Sequence, residues 1–188
     1  MGAFEFVLSL FGLLLGLSLA EVLTGLVRTV KSRQAVRLGW LTPLLGLFVM
    51  VDLTSFWSVA WMLREDFSPT FALLLLGLAV TGLYYFAASL VFPERTEEWP
   101  DLDTYYFAHK RAVLGSITVC NLVPTLTILA LFPERFQLAS FWLNGVLLAL
   151  LVGAVVARNK AANLVLLALL LLFYGFFVVM SLLPAPRT

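Results

Sequence analysis

Few residues in this chain could do chemistry in an apolar environment, and the first is Asp52, in the stretch VMVDLTSFW (49–57). It stands in an apolar run from Gly39 to Leu63, with Arg37 and Arg64 as the nearest charges outside that run. A charge at the centre of a bilayer costs about 2.5–3.5 kcal/mol on insertion scales, so such a residue needs compensation. Counting inward from the segment ends at about 1.5 Å per residue places Thr81, Asn121 and Tyr174 at the level of Asp52, each on a different helix. On the fourth helix Thr118, Asn121 and Thr125 share one face, and Pro124 releases the carbonyl of Cys120 from its usual N–H partner. Three solutions fit Asp52: a proton on the acid, hydrogen bonds from Asn121, Thr81 or Tyr174, or a hydrated cavity holding a cation. The first two make it a structural pin. The third makes it the centre of an ion or proton pathway.

A second polar stripe, Ser18, Glu21, Thr24, Gly25 and Arg28, lies on one face of the first helix by the 3.6 period. Glu21 falls on the cytoplasmic side of the midplane, within reach of a snorkelling Arg28. It forms either a packing ion pair or a vestibule leading to Asp52. The loop PERTEEWPDLDTYYFAHKR (93–111) gathers Glu94, Glu97, Glu98, Asp101, Asp103 and His109. Carboxylates suit a divalent cation, but a solvated loop is the simpler reading, with Asp103 capping the fourth helix and Lys110 and Arg111 anchoring it at the anionic inner leaflet.

Other chemistries lack their residues. One cysteine, Cys120, cannot make an intrachain disulfide, a CxxC centre or a thiolate zinc site, and one histidine, His109, cannot supply two haem ligands. HExxH, P-loop, GxGxxG and GxSxG motifs are absent from the sequence. The expectation is a non-enzyme with no metal or cofactor and no nucleic-acid partner.

The elements that must position these residues follow from composition. Of 188 residues 62% are apolar and 12% charged, against about 45–50% and about 25% in a soluble domain. A transmembrane helix needs about 20 mostly apolar residues, and six such segments occur, at about 4–30, 39–63, 69–92, 104–132, 137–157 and 161–183. The expected fold is all-α: a single transmembrane domain over 1–188, a polytopic bundle of six helices. Ser18 and Ala20 in LSLAE resemble a signal-peptide cleavage site, but MGAFEF carries an acid where a basic region belongs, so the first segment is expected to be a retained helix.

Alternating loops place Arg28, Lys31, Arg33, Arg37, Arg95, Lys110, Arg111, Arg158 and Lys160 on one side, and Arg64, Arg135 and Arg187 on the other. The basic side stays cytoplasmic, so both termini are expected in the periplasm of a bacterium, the chain crossing its cytoplasmic (inner) membrane. Trp40, Tyr105 and Tyr106 would mark the inner interface, and Trp61 and Trp142 the outer one.

In the first helix Gly12, Gly16 and Ala20 recur every four residues, a spacing that lets another backbone approach closely, within the chain or in a second copy. The sequence FPER recurs at 92–95 and 132–135, on opposite faces of the membrane by this topology, where proline simply ends each helix. The segments FEFVLSLFGLLLGLSLAEVLTGLVRTV, VRLGWLTPLLGLF, SFWSVAW and LVFPE resemble a widespread group of uncharacterised bacterial integral membrane proteins of about this length. The resemblance spans most of the first hundred residues and implies the six-helix fold and a bacterial inner membrane. The functional expectation is a small ion or solute permeation or transport protein, homo-oligomeric through its first helix, with Asp52 at its polar centre. The alternative is a non-catalytic accessory or assembly protein that binds another membrane protein.

Overall fold

The computed structural model describes residues 3–31, 39–62, 70–131 and 138–182. They form six α-helices: α1 (Ala3–Lys31), α2 (Leu41–Met62), α3 (Phe71–Ser89), α4 (Leu102–Leu131), α5 (Leu138–Val156) and α6 (Lys160–Leu182). A short 3-10 turn, Thr96–Glu98, lies between α3 and α4, and the described residues contain no strand. Five helices are long and apolar enough to cross a membrane; in α5 the apolar stretch Phe141–Val156 is shorter. Arg33, Arg37, Arg64, Arg135, Arg187 and the second FPER copy lie outside the described residues.

Neighbouring helices close a ring in the order α1, α3, α4, α5, α6, α2, and α2 also packs on α4 across the middle. The helix that carries Asp52 is therefore touched by α1, α3, α4 and α6. Polarity runs inside out. Leu13, Trp61, Phe71, Leu126, Trp142 and Leu172 are exposed, whereas Ser18, Thr42, Asp52, Thr81, Lys110 and Asn163 are buried. Soluble monomers rarely expose apolar patches of more than a few hundred Å², and this exterior is that of a multi-pass membrane protein.

The helix ends correct two expectations. Asp101, not Asp103, caps α4: its carboxylate accepts from the Thr104 backbone N–H at 2.7 Å and from the Thr104 hydroxyl at 3.0 Å. Helices start one residue after an acceptor that can reach the third N–H, and α4 accordingly begins at Leu102 rather than at 104. The bond from the Thr104 N–H holds the Asp101 carboxyl below the usual carboxylate range. The second correction concerns α3, which ends at Ser89 rather than running to 92. Residue Phe92 precedes Pro93, and a residue in that position is pushed out of the helical region.

That early end frees Phe92 to turn inward between α1 and α2. A Cβ at Gly25 would stand 2.6 Å from the Cβ and Cδ2 of Phe92, and one at Gly46 would stand 2.8 Å from the far edge of the same ring. Two glycines on two helices thus form the slot that the phenyl ring fills.

Candidate functional site

Asp52 is fully buried halfway along α2. Its Oδ1 accepts from the Tyr174 hydroxyl of α6 at 2.6 Å and from Asn121 Nδ2 of α4 at 3.0 Å, and its Oδ2 accepts from the Tyr84 hydroxyl of α3 at 2.9 Å. Three helices therefore converge on one carboxylate carried by a fourth. A carboxylate offers about four lone-pair sites, so the donors leave little of it unsatisfied. Ser55 donates to the Asp52 carbonyl at 2.7 Å and to the Tyr174 oxygen at 3.4 Å, which extends the network along α2. Phe48 and Phe56 lie against the two tyrosines, with ring centroids 6.2 and 5.6 Å apart respectively. Among the described residues no lysine or arginine forms an ion pair with Asp52.

The structure thus brings Asp52, Asn121 and Tyr174 together but turns Thr81 away. Thr81 is buried, yet its hydroxyl donates to the Gly77 and Leu78 carbonyls of its own helix at 2.8 and 3.3 Å. Tyr84, one turn further along α3, takes the place expected for Thr81 because its longer side chain reaches across to α2. Thr125 likewise bonds within α4, donating to the Asn121 carbonyl at 2.8 Å. Asn121 itself also donates to the Ile117 carbonyl at 3.0 Å, which fixes its amide beside the acid. Glu21 pairs with Arg28 at 3.5 Å, both side chains about a third exposed, and Arg28 also donates to the Glu94 carbonyl at 3.3 Å.

The small-residue stripe divides. A Cβ at Gly12 would meet the Trp57 ring at 2.8 Å, whereas Gly16 has nothing within 4 Å and Ala20 is exposed. A Cβ at Gly16 therefore meets nothing inside one chain, and Gly16→Leu probes a contact outside it. Loss of oligomer mass in mild detergent on that substitution would report a subunit contact at Gly16; an unchanged mass would remove that contact.

A second buried cluster was not anticipated. Lys110, expected at the lipid headgroups, turns inward on α4 and is buried. Its Nζ donates to the carbonyl of Ala154 at 2.7 Å, to Asn163 Oδ1 at 2.8 Å and to the carbonyl of Ala157. Carbonyls at a helix C-terminus lack intrahelical donors, and Lys110 satisfies that of Ala154 at the end of α5 and that of Ala157 just beyond it. Tyr105 and Tyr106 also leave the interfacial belt assigned to them. Both are buried, donating to the Leu90 carbonyl at 3.1 Å and to Asn163 Oδ1 at 2.9 Å, because a buried tyrosine hydroxyl seeks a partner. The signal was present in the sequence: Tyr106, Lys110, Val113 and Ile117 share one helical face, and the other three are apolar or aromatic. Arg111, one residue on, is exposed.

Asp103 makes a third junction where α2, α4 and α6 begin. Its Oδ1 accepts from the Leu41 N–H at 3.1 Å, its Oδ2 pairs with Lys160 at 2.5 Å, and Thr42 donates to the Leu102 carbonyl at 2.7 Å. Gly39 passes this carboxylate with φ +49, a backbone conformation that favours glycine, in a space that a Cβ would share with Asp103. The loop acids are thus divided among separate tasks, with Glu98 bonded to Arg95 at 3.3 Å. Among the described residues no group of three or more His, Cys, Asp or Glu side chains could hold a metal ion. No family model, curated protein or solved structure matches the chain.

Proposed function

We propose that this chain is a six-span protein of the bacterial cytoplasmic membrane with both termini in the periplasm, and that it serves as an accessory or assembly protein for another membrane protein. The observation that carries the functional reading is the occupancy of Asp52: hydroxyls and an amide from three other helices take both of its oxygens. An acid so engaged holds four helices in register and has to give up those bonds before it can serve a moving ion. The sixth span rests on α5, whose 19 residues include no charge and reach about 28 Å at the helical rise, close to the hydrocarbon thickness of about 30 Å. The orientation rests on Arg28, Lys31, Arg95, Arg111, Arg158 and Lys160, all toward one set of helix ends. Reporter fusions at the C-terminus should be active in the periplasm and fusions between α1 and α2 in the cytoplasm; the reverse pattern would overturn the orientation.

One feature favours the reading expected first from the sequence, a permeation or transport protein with Asp52 at its centre. All three donors are neutral, and among the described residues no cation pairs with that carboxylate, so a proton or small cation would supply the missing positive charge. Proteoliposomes separate the two readings. The accessory reading expects no uptake of protons, sodium or potassium and a stoichiometric membrane-protein partner on gentle purification. Uptake that depends on Asp52 would replace it with the transport reading.

A further inference from the structure

We infer that the corner where α4 meets the α5–α6 turn is a binding site for a primary ammonium group, and that Lys110 is its tethered occupant. Three oxygens converge there: the carbonyls of Ala154 and Ala157 and Oδ1 of Asn163. A primary ammonium carries three N–H donors and no acceptor, and Nζ gives one to each oxygen. The rings of Phe107 and Tyr106 flank the nitrogen, with centroids at 5.3 and 5.8 Å, so a positive charge also meets aromatic faces. Among the described residues no carboxylate pairs with Lys110: Asp103, two turns earlier on α4, is engaged by Leu41 and Lys160. The counter-charge is the partial negative charge at the C-terminus of α5.

The cradle is built independently of the lysine stem. Asn163 Nδ2 donates to the Ala157 and Asn159 carbonyls at 3.0 and 2.8 Å, and the Tyr106 hydroxyl donates to Oδ1 at 2.9 Å. A flipped amide would set its NH2 group against a hydroxyl donor and an ammonium, so the oxygen is held facing the site. Asn159 in turn accepts from the Ala161 N–H at 2.9 Å, which orders the turn that carries these acceptors. The site selects for N–H donors in three directions. A quaternary ammonium has the charge without the donors, and an alcohol has one donor without the charge.

Truncation supplies the test. Lys110→Ala removes the atoms of n-propylammonium and leaves a vacancy of that shape, whereas Lys110→Met fills the space without a charge or donors. Thermal unfolding of the full-length protein in detergent would be followed during titration with n-propylammonium, tetramethylammonium or n-propanol. Both variants should unfold below wild type. n-Propylammonium alone should raise the Tm of K110A, saturably, while K110M and wild type, whose sites are blocked or filled, stay unchanged. Failure to raise the Tm of K110A, an equal rise in wild type, or a K110M protein as stable as wild type would each overturn the assignment. If K110A cannot be extracted folded, its folded yield with and without n-propylammonium becomes the readout, and equal yields would overturn it as well.

Discussion

Asp52→Leu is expected to destabilise the bundle by about 2–5 kcal/mol, because it deprives three buried donors of their shared acceptor at about 1–3 kcal/mol for each that stays unsatisfied. The three do not lose equally. Asn121 keeps the Ile117 carbonyl, and Tyr174 keeps Ser55 as a neighbour. Among the described residues the Tyr84 hydroxyl donates to Asp52 alone. Polar contacts between helices in bilayers average about 0.6 kcal/mol in double-mutant cycles, which places the lower end of the range near 2 rather than higher. Asp52→Asn keeps the size of the side chain and an acceptor for Tyr174 and Asn121, and the Tyr84 hydroxyl can accept from its NH2 group, so it should cost about 1 kcal/mol or less.

Unfolding of the two variants beside wild type in mild detergent measures this difference. Equal stability of Asp52→Leu and wild type would end the view of this residue as a clamp. The same proteins in liposomes address the alternative function, since a pathway acid replaced by asparagine leaves the fold intact and abolishes uptake.

Gly25→Ala should be the other costly change, although adding one methyl group to a helical glycine otherwise gains up to about 1 kcal/mol from helix propensity. The new Cβ would stand 2.6 Å from the Cβ of Phe92, an atom that no rotamer change can move. Overpacking of this kind typically costs about 1–3 kcal/mol. Gly46→Ala crowds the Cε2 and Cζ edge of the ring at 2.8 Å and makes an ordinary contact with Val91 at 3.5 Å, so a small ring tilt relieves it and the loss should be smaller. Phe92→Ala then separates the two positions. It removes the ring but keeps the Cβ, so it should suppress the cost of Gly46→Ala and only part of that of Gly25→Ala. Equal suppression at both positions in a double-mutant cycle would show that the backbone between α3 and α4 shifts to accommodate the methyl group.

Position along each helix was legible in the sequence; the partner that each side chain meets was not. Apolar runs of membrane-spanning length produced the helices to within a few residues, and the helical rise alone set Asp52, Asn121 and Tyr174 at one level. Depth is a local quantity, so it survives ignorance of the neighbours. The choice of partner at that depth required the ring order of the helices and the contact of α2 with α4, which no single segment contains. Hence the count named Thr81 and passed over Tyr84, and only the structure turned the first to its own backbone and the second to Asp52. The same limit governs the ends. In PDLDTY either aspartate could cap a helix, and the position of the Leu41 N–H and Lys160 drew Asp103 away and left Asp101 to the task. Lys110 and Arg111 stand side by side as two cations near a helix end. The lysine turned inward because the last carbonyls of α5, from a distant part of the chain, lie within reach of that face of α4 and need donors.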